Sequence, residues 1–288
     1  MPDSALEGTE RQFTALLTAT GSDPSVSLIP YFLPEVRRGD CGRRYVEEHY
    51  FSVSELWDAE LDALIVTGAE PLTKSLCDET YWSRLTELLV WAQTSKKAVV
   101  LSCLAAQVGV LYFDGIEREP LPDKRFGVFW HDVITGSPLT RDVPRRLSMP
   151  HSRWNDLSAD ALIAGGYQIL TQSPEAGVDC FTKAGNRPWL FFQGHPEYEE
   201  DTLLKEYIRD VKRFLKGERE TYPHLPENYF GAEISASLSR FRERALTCRD
   251  EAILPDFPLH DRILKPINTW RKSGARIYRN WILNLAEA

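Results

Sequence analysis

Three short apolar runs constrain most strongly what this chain can fold into. Residues 61–66, the segment Ala98-Val99-Val100-Leu101 and the segment Trp189-Leu190-Phe191-Phe192 each run into a polar turn, and helix-like stretches lie between them. Strands alternating with amphipathic helices imply an α/β domain, a parallel sheet with helices on both faces, with ligands at the carboxyl ends of the strands. Three motifs stand at such ends: Gly68-Ala69-Glu70, Cys103 and His195-Pro196-Glu197.

The connecting segments carry their own signals. Ser4 and Glu7 form a capping-box pair ahead of Leu6, Phe13, Leu16 and Leu17, which share a helical face. A strand is expected over residues 26–30 and an exposed, arginine-rich loop over about 35–48. Asp78 is expected to cap a helix carrying Trp82, Leu85, Leu88, Leu89 and Ala92. Leu204, Ile208, Val211 and Leu215 mark a further amphipathic helix, closed by Gly217. Proline and charge interrupt the remainder of the chain. The expected division is a main domain over 1–217 and an irregular extension over 218–288 packed on it.

A cysteine at a sharp strand-to-helix turn is lifted above the sheet edge. The amides of the following helix then favour its thiolate and offer oxyanion donors. Cys103, followed by Leu104-Ala105-Ala106-Gln107, stands in that position. His195 lies 92 residues further on, two residues before Glu197, so the imidazole can serve the thiol while the carboxylate fixes its tautomer. A cysteine in an apolar stretch is ordinarily a small buried hydrophobe, and Cys41, Cys77, Cys180 and Cys248 are read that way. The pairing of two strand-end motifs gives Cys103 the functional reading.

Bulk properties narrow the class. A formal net charge of -8 over 288 residues argues against a nucleic-acid surface. The five cysteines form no C-x-x-C pair and are read as reduced, in a cytoplasm. No stretch approaches the ~20 apolar residues of a membrane span, so neither membrane insertion nor secretion is expected.

The chain resembles the homoserine O-acyltransferases of the class I glutamine-amidotransferase-like superfamily. The resemblance is carried by Met1-Pro2, Thr67-Gly68-Ala69, Tyr81-Trp82, Cys103 with Gln107, Lys124 with Gly127-Val128, Pro150-His151-Ser152-Arg153, Gly194-His195-Pro196-Glu197-Tyr198, Arg209-Asp210-Val211 and residues 270–281. It implies a flavodoxin-like parallel sheet and acyl transfer from coenzyme A to the hydroxyl of homoserine, in methionine biosynthesis. By the same resemblance Cys103 becomes the thioester, His195 is base and acid, and Glu197 orients it. Arg209 would hold the amino acid's carboxylate, Lys124 would assist the oxyanion or the donor, and Ser152 and Tyr198 would touch substrate. His151 is read as a loop histidine without a catalytic role. No metal or bound cofactor is implied; acetyl-CoA or succinyl-CoA enters as co-substrate. Relatives are often dimers, so a homodimer is expected.

Four features depart from the superfamily. Leu101-Ser102-Cys103-Leu104-Ala105 lacks the glycines of the amidotransferase pattern G-x-C-x-G, which argues against glutaminase activity. Pro71 has no amide hydrogen, so the oxyanion donors are expected from the Leu104 amide with Glu70, Leu72 or a side chain. Leu72 takes a position where relatives using acetyl-CoA carry glutamate and those using succinyl-CoA carry glycine; its bulk points to acetyl. Relatives also have a strand before the Met-Pro of Met1-Pro2, so the fold is expected to lack its first strand, with the true start upstream. The region 227–258 reads as an insertion. Serine is the alternative acceptor, since one methylene is worth only about 1–3 kcal/mol. A glutamine amidotransferase and a non-catalytic binding protein are the alternatives in other classes.

Overall fold

The computed structural model describes residues 2–21, 26–183, 189–258 and 268–286. Among the described residues the strands are β1 (Tyr31–Phe32), β2 (Phe51–Ser52), β3 (Ala63–Val66), β4 (Ala98–Ser102), β5 (Glu119–Val133), β6 (Arg146–Asp156), β7 (Tyr167–Ser173), β8 (Gly177–Lys183) and β9 (Trp189–Phe192). The α-helices among them are α1 (Leu6–Thr18), α2 (Asp40–His49), α3 (Val53–Leu56), α4 (Trp82–Thr94), α5 (Leu104–Asp114), α6 (Ala159–Ala164), α7 (Thr202–Leu215), α8 (Ala232–Thr247) and α9 (Arg271–Ala286). None of these helices is long and apolar enough to cross a membrane.

The α/β architecture holds, and its parallel part is the part that matters. Seven strands form one sheet in the order β3-β4-β9-β8-β7-β5-β6. β3, β4 and β9 are mutually parallel, and β8, β7, β5 and β6 follow β9, each antiparallel to the strand before it. Alternate residues of β4 serve opposite cores. Val99 and Leu101 pack with Leu85, Leu88 and Leu89 of α4, whereas Ala98 and Val100 pack with Phe13 and Leu16 of α1 and Ile277 and Tyr278 of α9. Every residue of β4 is buried, because helices cover both faces; each buried Leu, Val or Phe contributes about 1.5–3 kcal/mol by leaving water. A third core joins Phe126 and Val128 of β5 to Tyr207 and Val211 of α7 and Leu238 and Phe241 of α8.

The structure corrects several local expectations. Residues 26–30 form no strand; Val26, Leu28 and Ile29 are exposed, and pairing is limited to Tyr31 with Phe51 and Phe32 with Ser52. The arginine-rich segment is not a loop, since most of it is α2. Its Gly42 packs so tightly on Asp3 that a Cβ would lie 2.1 Å from the Asp3 carboxyl carbon, a tertiary contact without periodicity in sequence. Ser4 and Glu7 do not cap α1. Asp3 instead accepts the Gly39 amide at the start of α2. Asp78 ends a short 3-10 turn, and α4 starts at Trp82 with Tyr81 as N-cap. The described residues after 217 are mainly helical: α8 and α9 each bury an apolar face against the sheet's helices. Among the described residues β3 is an edge strand. A cleft of about 730 Å³ runs beside it, lined by Phe13, Leu28, Tyr31, Ile65 and Trp281 and reaching Gly68 and Leu104.

Candidate active site

Strand register assembles the site. β4 pairs with β9 so that Ser102 lies opposite Phe192, and the Cys103 amide donates to the Phe192 carbonyl at 2.7 Å. His195 follows three residues after Phe192, and its own amide donates to the Pro150 carbonyl at 2.9 Å. On the other side β3 pairs Val66 with Leu101, which brings Gly68 beside the start of α5. A Cβ on Gly68 would sit 2.9 Å from the Leu104 nitrogen, so only glycine leaves that amide open.

Cys103 has φ 52° and ψ -112°. A non-glycine residue in that region carries roughly 1–3 kcal/mol of strain, and ladder bonds and the buried α5 on either side hold it there. The elbow presents a half-buried sulfur above the sheet. Its carbonyl accepts from the amides of Ala106 and Gln107, which commits the first turn of α5 to it. The Leu104 amide, for which no acceptor is found among the described residues, is placed where an oxyanion donor would be needed. The Leu72 amide is not another: it donates to the buried Glu79 carboxylate at 2.6 Å, as does that of Thr73 at 2.7 Å, and the Leu72 side chain is 68% exposed. Glu70 holds no such amide bond among the described residues, and its side chain stands exposed near Arg213.

His195 Nδ1 meets Glu197 Oε1 at 2.7 Å, which leaves Nε2 for Cys103. Burial works against a charged imidazole here, but Glu197 and the hydrogen-bonded Cys103 outweigh it and hold the His195 pKa well above its usual value. The imidazole ring stacks on Tyr198, with centroids 4.2 Å apart and planes within 15°. Tyr198 is fixed in turn by its hydroxyl, which donates to Glu206 Oε1 at 2.6 Å, and by its carbonyl, which accepts from Trp270 Nε1 at 2.8 Å.

Glu206 is the residue that sequence reading missed. Its Oε2 accepts from Ser152 Oγ at 2.5 Å and from Lys124 Nζ at 3.2 Å. The three expected substrate contacts Lys124, Ser152 and Tyr198 therefore converge on one carboxylate. Burial would raise the Glu206 pKa, yet Lys124, Ser152 and Tyr198 together bring it below the usual 4.5. The one signal in sequence is that Glu206 and Asp210 lie four apart on α7 beside the apolar Leu203, Tyr207 and Val211, where a solvated helix would place no carboxylate. Arg209 Nε donates to Asp210 at 2.9 Å. Its two terminal nitrogens hold no bond among the described residues.

His151 is not a loop histidine. It lies on β6, fully buried, with Nε2 3.2 Å from His131 Nε2 and 3.8 Å from Asp179 Oδ1. Asp179 accepts the Gly194 amide at 3.0 Å, so this cluster braces the strand end that carries His195. His131, His151 and Asp179 bring three potential ligand atoms within 4.8 Å of one another. Arg153 donates to His151 Nδ1 at 3.3 Å, and a guanidinium in contact opposes a divalent cation at that point. Burial, then His131 and Arg153, drive the His151 pKa well down, which keeps the ring neutral.

The geometry thus offers a nucleophile, a base with its orienting carboxylate, and an amide at the helix start. The family model for homoserine O-succinyltransferase matches residues 1–286. The chain is 44% identical to the homoserine O-succinyltransferase of Rhodopseudomonas palustris over 99% of its own length and 86% of that protein's. The chain belongs to the homoserine O-succinyltransferase family. It is an acyltransferase. Homoserine O-succinyltransferases of Methylorubrum extorquens and Bradyrhizobium japonicum are 43% and 40% identical, over 98% and 100% of this chain and 84% and 88% of theirs. Among solved structures, a glutamine amidotransferase from Thermotoga maritima aligns at a TM-score of 0.46 and 11% identity, covering 91% of this chain and all of that one; a likeness at that level does not bear on activity.

Proposed function

We propose that this chain moves an acyl group from an acyl-CoA to the hydroxyl of L-homoserine, in methionine biosynthesis, through a thioester on Cys103. The observation that carries the reading is the run of contacts from the Cys103 elbow through His195 to Glu197, in a chain of this family. The Cys103 thiolate attacks the thioester carbonyl, and the oxyanion forms beside the Leu104 amide. Coenzyme A leaves with a proton from His195 Nε2. His195 then takes the hydroxyl proton of homoserine, whose oxygen attacks the acyl-enzyme and frees Cys103. Glu197 keeps Nδ1 protonated throughout, and Tyr198 holds the ring's plane.

Arg209 is the proposed seat of the acceptor's carboxylate, because its terminal nitrogens offer a planar fork. Lys124 and Ser152, tied to Glu206, form the wall beside it. The relatives' names support succinyl-CoA as donor over the acetyl reading drawn from Leu72, and an exposed Leu72 side chain does not crowd a succinyl chain.

Intact-mass analysis with succinyl-CoA and acetyl-CoA tests this. A succinyl adduct on Cys103, discharged by homoserine and absent in Cys103→Ala, is expected. Discharge by serine alone would change the acceptor. Ammonia release from glutamine without any adduct would replace the reaction.

A further inference from the structure

Lys124, Arg153 and Arg118 are cations on the elements around the nucleophile, and the first two are already neutralised. Lys124 is paired with Glu206. Arg153, within electrostatic reach of Cys103, is buried against Asp156 at 2.9 Å and donates to the carbonyls of Asn155 and Ala176. Arg118 is different. It too lies within electrostatic reach of Cys103, but its hydrogen bonds go only to neutral acceptors, the Gln107 amide oxygen at 3.3 Å and the Lys74 carbonyl at 3.2 Å. Among the described residues no carboxylate stands within ion-pair distance of it. Gln107 is four residues after Cys103 on α5 and buried, so the guanidinium is anchored about one helical turn beyond the nucleophile.

A second observation points to the same place. The Tyr81 side chain is 6% exposed, and its hydroxyl is buried with no hydrogen-bond partner among the described residues. It lies within electrostatic reach of Arg118. A buried hydroxyl without a partner costs about 1–3 kcal/mol, and the half-buried guanidinium feels the carboxylates of Glu79 and Glu117 only from beyond ion-pair distance. One anionic group between them satisfies both.

We infer that Arg118 and Tyr81 form the seat for the terminal carboxylate of a dicarboxylic acyl chain held on Cys103, and so select succinyl over acetyl. This rests on the thioester reading above and deepens it by naming the residues that read the acyl group. The guanidinium faces the carboxylate with the N–H groups not used by Gln107 and Lys74, and the Tyr81 hydroxyl donates to it. Leu72, which offers the chain's end no polar partner, is then not the residue that decides the donor. The electrostatic contact with Cys103 serves any acyl group, whereas the carboxylate contact serves only succinyl.

The test is the ratio of kcat/KM for succinyl-CoA to that for acetyl-CoA, with homoserine as acceptor, in the wild type, Arg118→Met, Arg118→Lys and Tyr81→Phe. The wild type is expected to prefer succinyl-CoA. Arg118→Met should lower the ratio by about 10- to 100-fold, the range for one hydrogen-bonded charge contact, and Arg118→Lys should recover part of it. Tyr81→Phe removes only a hydroxyl that has no partner, so it folds normally and keeps the test open if Arg118→Met does not; it should lower the ratio by a smaller factor. Equal losses with both donors in these variants would overturn the inference, because coenzyme A's phosphates are common to both and would then be what Arg118 holds. A wild type that prefers acetyl-CoA would overturn it as well. A wild type that forms no Cys103 adduct with either donor would instead sink the thioester reading itself.

Discussion

Replacing Glu206 by glutamine should be among the most costly single changes near the site, although Glu206 touches no reacting atom in the proposed cycle. Its two carboxylate oxygens receive three donors, Tyr198 on one and Ser152 and Lys124 on the other. Glutamine keeps one oxygen and turns N–H donors towards whatever faced the second. Whichever way the amide turns, at least one donor loses its acceptor, and Lys124 is left with Asp210 at 3.8 Å as its remaining carboxylate. A hydrogen bond to a charged group is worth about 1.5–3 kcal/mol, and breaking a buried ion pair costs about 3–5 kcal/mol. The side chains of Lys124 and Glu206 retain 12% and 15% exposure, so the low end applies, about 3 kcal/mol. That corresponds to a fall in Tm of about 6–12 °C for a chain of this size. Because the Glu206 pKa is lowered by folding, its contribution is present above the ordinary carboxylate value and is lost as pH falls through the folded pKa. Thermal and denaturant unfolding of both proteins at pH 7 and near pH 4 should therefore show the difference shrinking in acid. Adding Lys124→Met should cost less than the sum of the single changes, because it removes the unpaired ammonium. A loss at pH 7 below about 1 kcal/mol, or one that grows in acid, would refute the reasoning.

The same geometry fixes further outcomes. Cys103→Gly should be more stable than Cys103→Ala by about 1 kcal/mol in denaturant unfolding, since glycine accepts the positive φ without strain; both should be inactive. Gly68→Ala should cost about 1–3 kcal/mol and lower kcat more than it raises KM, because its methyl group would press on the Leu104 amide, the proposed oxyanion donor. Glu197→Gln should lower the pH at which the His195 ring titrates, followed by imidazole NMR, and reduce kcat by ~10²- to 10⁴-fold. The sign comes from the raised pKa of His195: the stability it contributes is complete below its ordinary value and is lost as pH rises through the folded value.

The candidate catalytic line could be read from the sequence alone. Cys103, His195 and Glu197 were legible because each follows a run of apolar residues too short for a helix, and parallel strands buried on both faces bring their carboxyl ends to one edge of a sheet. α1, α4 and α7 were legible because their apolar residues keep the helical period. Only the tertiary structure decided which polar groups face that edge. Glu206 and Arg118 look like solvated helix and loop residues in sequence, and join the candidate site because register and helix packing place them, half-buried, beside Ser152 and Gln107. α2 escaped notice for a related reason: Gly42 and Val46 are its only buried residues, and Asp3, 39 residues from Gly42, supplies the contact. Local pattern reports burial along one element, whereas the partner of a buried charge lies on another element, and the fold alone brings the two together.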